Sequence, residues 1–495
     1  MFTITSLPVE VLTRIVSYSP TKHDLASLRL TSRLFNDIAV KQLFSTTTLY
    51  AHYEDSDSND SDLDSSECDV YDAQTFKNAI DDNELRKHIR KVDVYTCETH
   101  CDHHPNDAGH VDFPPLPWPR YHERWWDCVR FLKNLPFLTT FNLHFDRHSG
   151  ESDFFERDIL HEPKDRLEIT DQVLSCLLGS EPSRITHLGI RHYQDNGKAD
   201  NDHVERQELL KTLSSLRMTI SNGETRDSLG KHLRAGDPHT FWGKFPQTFL
   251  KPAMGNLQRL VLYSDILFGF FPRLDLRDVH FPNLKSLCFG YYVFAQDSQF
   301  DWITSHAATL QELYMDDCSI LYSIAHTIPG WLGEDGFPLE HPPNTSECYG
   351  RSFTPWEEED LNDEVDEKLK LVNYPTRWFD IFSRFQKELP RLRRFAFGKS
   401  KQWFHDTTSR YGYVGGPPHV PWEAENDLEN EILRDRYAVY CDWECSYSEA
   451  WDMNDDDEWK KKCPAEWRSW FENFPACDEE DQIALRSLCN HIERR

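Results

Sequence analysis

Residues 256–264 read NLQRLVLYS, residues 283–291 read NLKSLCFGY, and residues 309–317 read TLQELYMDD. Each stretch has an apolar side chain at its second, fifth and seventh position. The alternation at the end of each copy predicts a β-strand with one buried face. Because the copies start 27 and 26 residues apart, each leaves room for a returning helix. The pattern therefore predicts stacked strand–helix units.

The same apolar spacing occurs elsewhere in the chain, at less regular intervals. Two stretches between copies, TDQVLSCLLG (170–179) and FDWITSHA (300–307), have the composition of helices. The wider gaps predict either copies with poorer matches or insertions. The seven copies are Ile89/Val92/Val94, Leu138/Phe141/Leu143, Ile185/Leu188/Ile190, Leu257/Leu260/Leu262, Leu284/Leu287/Phe289, Leu310/Leu313/Met315 and Leu392/Phe395/Phe397.

These copies resemble the degenerate leucine-rich repeats of many fungal proteins, most closely in FDWITSHAATLQELYMDDCSI (300–320). The resemblance implies a solenoid whose concave, strand-lined face binds another protein. No individual substrate-binding residue can be assigned from sequence. The strand residues expected to point outward on that face are Arg259, Val261, Lys285, Ser286, Cys288, Glu312 and Tyr314.

The first fifty residues have the pattern of three short helices. Pro8 suits the first turn of a helix, and Val11, Leu12, Ile15 and Val16 follow at helical spacing. Asp24 is expected to cap the second helix and Ser32 the third. Helices this short bury little surface, so the module is expected to pack against a partner or the domain behind it.

The segments LPVEVLTRIVSY (7–18), DLASLRLTSRLFNDIA (24–39) and QLF (42–44) together resemble the F-box of fungal F-box proteins. Thr31 and Phe35 stand where many F-boxes have Cys and Trp. The resemblance implies binding to a Skp-type adaptor, and through it to a cullin and a RING subunit. By their position in the motif, the adaptor-binding residues would be Leu7, Pro8, Glu10, Leu12, Ile15, Leu25, Leu28, Arg29, Leu30, Arg33 and Phe35.

Charge is distributed unevenly along the chain. The formal net charge is -30, yet residues 1–50 carry five basic and three acidic side chains. Such an acidic body disfavours binding to nucleic acid or a membrane surface, whereas the basic head agrees with an acidic adaptor. No signal peptide or membrane-spanning run is visible, so the expected location is cytoplasmic or nuclear.

Composition divides the rest of the chain. Residues 54–72 hold nine acids and no Lys or Arg, which is typical of a solvated linker. The predicted organisation is an F-box (1–48), an acidic linker (49–80) and a leucine-rich-repeat-like domain (81–400) with an insertion near 334–370. An acidic, Trp-rich C-terminal region (401–495) would form a helical cap. The fold class is therefore α/β.

Motifs for catalysis or cofactor binding are not found in the sequence. The exception is the metal-like cluster of Cys97, His100, Cys101, His103, His104 and His110, with Cys441 and Cys445 as a distant pair. Its spacing matches no zinc finger, so a surface loop is favoured over a zinc-dependent site. No cofactor and no enzymatic activity are expected.

The sequence thus favours a substrate-receptor subunit of an SCF-type ubiquitin ligase, joining an adaptor to an unknown target protein. Two alternatives remain open at this point. One is a scaffolding repeat protein without ligase function, and the other is the zinc-dependent site around Cys97 and Cys101.

Overall fold

The computed structural model describes residues 7–18, 21–50, 73–96, 123–145, 163–178, 184–195, 204–221, 236–326, 330–339, 370–400, 425, 428–441, 446–449 and 474–495. The chain divides into two compact units. The first comprises residues 1–146 and 168–191, and the second comprises residues 147–167 and 192–495.

The first unit begins with three helices and continues with alternating strands and helices. Its elements are α1 (Val9–Ser17), α2 (Lys22–Leu28), α3 (Arg33–Leu43), β1 (Thr46–Tyr50), α4 (Ala73–Asp81), β2 (Lys91–Tyr95), α5 (Glu123–Phe131), β3 (Thr140–His144) and most of α6 (Pro163–Leu177) and β4 (His187–Gln194). Strands β1 to β4 pair in order, all parallel, as expected when a crossover separates each pair.

The register of this sheet explains its two faces. Leu49, Val94, Leu143 and Ile190 align across the four strands and are all buried. The opposite face is polar and aromatic: Asn142 donates to Asp93 Oδ1 over 2.6 Å, and the rings of Tyr50, Tyr95 and His144 form a stack. Period-two alternation therefore places one row of each strand in the apolar core, and the other row forms a polar and aromatic face on which Asn142 and His144 are also buried.

The second unit contains the most regular copies. Its elements are α7 (Val204–Lys211), β5 (Ser215–Ser221), α8 (Gly236–Phe245), β6 (Arg259–Phe268), β7 (Ser286–Phe294), α9 (Asp297–Thr304), β8 (Glu312–Asp316), β9 (Ser319–His326), β10 (Lys370–Asn373), α10 (Trp378–Glu388), β11 (Arg394–Gly398), β12 (Tyr437–Cys441), β13 (Ser446–Glu449) and α11 (Asp478–Glu493). Helix α8 continues through a π-helical turn at Pro246–Leu250.

Strands β5, β6, β7, β8 and β11 of this unit form a parallel sheet in that order. Leu216, Leu260, Leu287, Leu313 and Phe395 align across it and are buried. Tyr291 lies within β7 and Asp317 directly follows β8, and each comes one residue after the aligned pair Gly290 and Asp316. Their φ angles are 63° and 51°. This left-handed backbone conformation changes the direction of the chain at both places, which we call the corner. After it, Val293 and Phe294 pair with Ser319 and Ile320 of β9.

Beyond that corner lies a second group of strands with its own core. Strand β9 pairs parallel with β12 and antiparallel with β10, and β12 pairs with β13. Ile266, Phe270, Leu321, Trp331 and Tyr440 are among the buried residues packed there. Aromatic side chains fill this core because each buries a large area.

All seven copies of the apolar pattern form strands: β2, β3, β4, β6, β7, β8 and β11. Strand β5 lies in one of the wider gaps between copies, and strand β1 precedes the first copy. Strand β5 follows the same spacing with Leu213, Leu216 and Met218, which the sequence analysis missed, whereas β1 has the threonine-rich sequence TTTLY. The described strands and helices therefore form an α/β fold whose parallel sheet does not close.

Several predicted boundaries differ from the elements. The F-box boundary at residue 48 falls inside β1, and the predicted linker (49–80) includes most of α4, whose Phe76 and Ile80 are buried. The predicted insertion near 334–370 includes Phe337, which is buried in the core around Trp331. Residues 54–72 and 340–369 lie outside the described residues.

The C-terminal region is more than the predicted helical cap. Helix α11 does pack on α10, where Ser487 donates to Gln386 Oε1 over 3.1 Å. Strand β12, however, lies inside the unit next to β9, and Tyr437 and Tyr440 are fully buried. The seven tryptophans of this region, at positions 403, 422, 443, 451, 459, 467 and 470, lie outside the described residues.

Candidate functional site

The three N-terminal helices enclose a small core of their own. Leu12, Val16, Leu25, Phe35 and Ile38 are buried in it together with Ala39. Leu28, Leu34 and Leu43 pack against its edge. Since a core of this size contributes only a few kcal/mol, the helix ends also need their polar groups satisfied.

Side-chain caps define the starts of α2 and α3. Ser32 accepts a hydrogen bond from Phe35 N over 3.3 Å, which confirms the predicted cap of α3. The cap predicted for α2 is displaced: Thr21, not Asp24, is the N-cap and accepts from Asp24 N over 3.0 Å. Thr21 Oγ1 in turn donates to Asp24 Oδ2 over 2.6 Å. Pro8 is the N-cap of α1, one position before the first turn where it was expected.

Helix α1 has a second apolar stripe that its own core does not use. Val11 is 43% exposed and Ile15 is 45% exposed, and Tyr18, just beyond the helix, is 72% exposed. Their spacing of four and three residues puts all three on one side of the helix, away from buried Leu12 and Val16. Leu7 and Leu30 are also exposed. So much exposed apolar surface on one small module is typical of a protein-binding site.

The eleven predicted adaptor-binding residues differ in their burial and form three groups. Leu12, Leu25 and Phe35 are buried in the module and hold its helices together, and Leu28 and Arg29 are half-buried. The exposed members, which are available for contact, are Leu7, Pro8, Glu10, Ile15, Leu30 and Arg33. Val11 and Tyr18, which share helical spacing with Ile15, are further exposed contact candidates that were not predicted from the sequence.

The segment that contains this stripe is mildly basic, since residues 1–50 carry five basic and three acidic side chains. The Nε–H of Arg29 is buried and has no hydrogen-bond partner among the described residues. A buried donor left unpaired costs free energy. The apolar stripe and the net positive charge of residues 1–50 together suit a partner surface that is apolar and acidic.

The outward face predicted for the repeat strands is not open. Val261, Ser286, Cys288 and Tyr314 are buried, with 1%, 6%, 0% and 2% of their surface exposed. Of the seven residues predicted there, only Lys285 is exposed, and Arg259 and Glu312 are half-buried. Residues from the C-terminal region pack over this face, beginning with Leu428. Alternation correctly separated the two faces, but it carried no information about a covering segment distant in sequence.

Metal and membrane sites are not seen in the part of the chain that the structure describes. No group of three or more His, Cys, Asp or Glu side chains there is arranged to hold a metal ion. The predicted cluster from Cys97 to His110 lies outside the described residues. None of the described helices combines the length and apolar character needed to cross a bilayer.

The N-terminal module agrees with a known domain family. Residues 4–49 match the family F-box-like. The chain therefore carries an F-box-like domain. This match contains all of α1, α2 and α3 and ends within β1, so the F-box-like domain runs directly into the sheet of the first unit. No curated protein matches the chain.

The F-box-like domain is joined to the sheet behind it by backbone hydrogen bonds. Ser45 O accepts from Arg90 N over 2.8 Å and from Lys91 N over 3.0 Å. Strand β1 then pairs with β2 from Thr46 to Tyr50. Because these contacts continue the parallel ladder, the domain is held by the sheet as well as by its own small core.

Proposed function

We propose that this protein is a substrate-receptor subunit of an SCF-type ubiquitin ligase. The F-box-like domain would bind a Skp-type adaptor, which would connect it to a cullin and a RING subunit. The α/β body would hold a target protein, and the other subunits would supply the chemistry. Catalysis would arise from proximity between the target and the charged ubiquitin carrier, so this chain needs no catalytic site.

The observation that carries this proposal is the F-box-like match at residues 4–49 on a module with an unused apolar stripe. F-box domains generally bind Skp-type adaptors. The exposed Val11, Ile15 and Tyr18 supply the apolar contact that such binding requires. We place the complex in the cytoplasm or nucleus.

The first test is a pull-down of the purified full-length chain with a Skp-type adaptor. The deletion control should remove residues 1–44, because removing 1–48 would also remove three of the five residues of β1 and the Ser45 carbonyl that accepts from Arg90 N and Lys91 N. We expect the full chain to bind and the deletion to lose binding. Binding that survives the deletion would contradict the assigned interface.

A point variant tests the same interface without truncation. Ile15→Asp places a carboxylate in the exposed stripe, and desolvating it should weaken adaptor binding by about 2 kcal/mol or more, which is over tenfold. The matched control is Thr13→Asp, which adds the same charge to an exposed position on roughly the opposite side of α1. Equal binding by both variants would rule out the stripe as the contact.

Leu12→Asp is unsuitable for this purpose. Leu12 has no exposed surface, so a carboxylate there would unfold the module instead of reporting on the interface. Co-purification of a cullin with the adaptor distinguishes a ligase subunit from a scaffold that uses the adaptor alone. Adaptor binding without any cullin would favour the scaffold.

A further inference from the structure

One face of the parallel sheet in the second unit has an occupant from the same chain. This occupant consists of Glu425 and residues 428–431, and we call it the strap. The sheet face beneath it is built from two aligned rows of residues. The first row is Arg217, Val261, Cys288, Tyr314 and Ala396, and the second is Thr219, Tyr263, Gly290, Asp316 and Gly398.

The strap is anchored at one end by a carboxylate. The side chain of Glu425 is fully buried and pairs with both terminal nitrogens of Arg217, one of them at 2.9 Å. Arg259 adds a third contact at 2.6 Å. Although burial opposes the charge, these two guanidinium groups hold the pKa of Glu425 below its usual value. A fork-shaped pair of arginines recognises a carboxylate in preference to a neutral side chain.

The middle of the strap is anchored by an apolar side chain. Leu428 packs against the cluster formed by Val261, Tyr263, Cys288, Tyr314 and Ala396. Tyr263 reaches across Gly290 to donate to Asp316 Oδ2 over 2.9 Å. A Cβ at Gly290 would collide with the Tyr263 ring, so the glycine is required for this flat apolar floor.

The far end of the strap binds the outer edge of β11. Phe397 N donates to Asn430 Oδ1 over 2.9 Å, and Asn430 Nδ2 donates to Phe395 O over 3.2 Å. Glu431 N donates to Phe397 O over 2.9 Å. A Cβ at Gly398 would collide with the Glu429 carbonyl oxygen. The side-chain amide of Asn430 thus satisfies an edge strand that would otherwise invite pairing.

These contacts restrict which sequence can occupy the face more than they stabilise the fold. Residues 428–433 form no helix or strand, and Glu429, Asn430 and Glu431 are exposed. A buried ion pair returns little net free energy after the cost of desolvation. Among the described residues, the strap contacts the face through one carboxylate, one leucine and one edge contact, each of which an external peptide can supply.

From this geometry we infer that the face is a docking site for an acidic segment of a partner protein, and that the strap is its intramolecular stand-in. The matching segment carries a carboxylate three residues before a leucine and an amide side chain two residues after it. This inference rests on the proposed function, in that the partner would be the protein target.

The test uses a fluorescent peptide with the sequence of residues 423–433, EAENDLENEIL, and the full-length chain. In the released variant, Glu425→Lys with Leu428→Asp, the strap should leave the face. Fluorescence anisotropy should then show at least tenfold tighter peptide binding than to the unmodified chain. A control peptide carrying Glu425→Lys should bind at least tenfold more weakly than the original peptide.

Two further measurements keep the outcome decisive. Adding Arg259→Glu to the released variant should weaken peptide binding at least tenfold, since Arg259 is partly exposed and tolerates substitution. Hydrogen exchange at the Phe397 amide should speed up in the released variant and slow again on adding peptide. If the two peptides bind alike, or the folded released variant binds neither, the docking site is refuted.

Failure here is distinguishable from failure of the proposed function. The adaptor pull-down depends on residues of the F-box-like domain, and the peptide assay needs no adaptor. Adaptor binding without peptide binding would refute only this docking site. Peptide binding without adaptor binding would support the docking site in a protein that has no ligase role.

Discussion

Single buried polar residues hold specific turns of this protein in place. His306 is 1% exposed, and its Nε2 accepts from Phe281 N over 3.2 Å. Its Nδ1 lies 2.9 Å from Trp302 O, where only a donor is useful. The neutral imidazole with its proton on Nδ1 satisfies both partners. Burial, together with the neighbouring His280, lowers the pKa of His306 to about 4.

This arrangement predicts a loss of stability in mild acid. Because the folded-state pKa lies below the ordinary value of 6.5, the contribution of His306 is complete above pH 6.5 and is lost as pH falls towards 4. Between pH 7 and pH 5 the loss should be about 2 kcal/mol. Denaturant unfolding of the unmodified chain and of His306→Gln at both pH values measures it.

Comparing the two proteins cancels the titration of other groups. Asp317, for example, has its pKa raised to about 7 by burial and by nearby Asp435, and its effect on stability has the opposite sign. Glutamine keeps an acceptor for Phe281 N but does not titrate. An equal change in unfolding free energy for both proteins would show that His306 does not titrate as described.

At the scale of elements, the C-terminal helix is fixed by one buried carboxylate. Asp481, in the first turn of α11, accepts from Arg436 Nε over 2.9 Å and from Phe379 N over 2.9 Å. Tyr437 Oη donates to the same carboxylate over 3.1 Å. These bonds join α11 to α10 and to the start of β12, so the helix is an integral part of the second unit.

Two carboxylates around Arg436 provide a matched comparison. Asp481→Ala should lower the free energy of unfolding by about 3–5 kcal/mol, because the Arg436 charge would stay buried without its partner. Asp478 also pairs with Arg436, at 2.6 Å, but its side chain is 75% exposed. Asp478→Ala should therefore cost less than about 1 kcal/mol. Chemical denaturation checks both, and similar losses would contradict this distinction.

At the scale of the whole molecule, charge separates the F-box-like domain from the body. Residues 1–50 are slightly basic, whereas the chain as a whole has a net charge of -30. Such a body repels polyanions, which agrees with a protein partner and disfavours a nucleic-acid partner. Basic side chains of the body bind individual carboxylates. Arg217 and Arg259, for example, both form ion pairs with Glu425.

The whole chain is also predicted to fold without metal. The cluster from Cys97 to His110 has no recognisable zinc spacing, so dialysed protein should contain less than about a tenth of an equivalent of zinc. Chelation should leave the unfolding temperature unchanged. Stoichiometric zinc, with a lower unfolding temperature after chelation, would restore the zinc-dependent alternative.

The sequence predicted what depends on local spacing. Apolar residues at fixed intervals identified seven strands, and the Leu-Pro and Asp-Leu segments identified the F-box-like domain. The Ser32 cap was predicted because a cap and its target are three residues apart. Strand β1 was missed because its threonine-rich sequence lacks the apolar spacing.

What the sequence by itself determined is therefore the α/β class, the positions of seven strands and the helical N-terminal module, all encoded by neighbouring residues. Only the tertiary structure decided which predicted residues are core and which are surface, as Leu12 and Ile15 show. It also decided that Glu425 covers Arg217, 208 residues away in sequence. Contacts between distant segments depend on how the whole chain packs, and local periodicity carries no record of that packing.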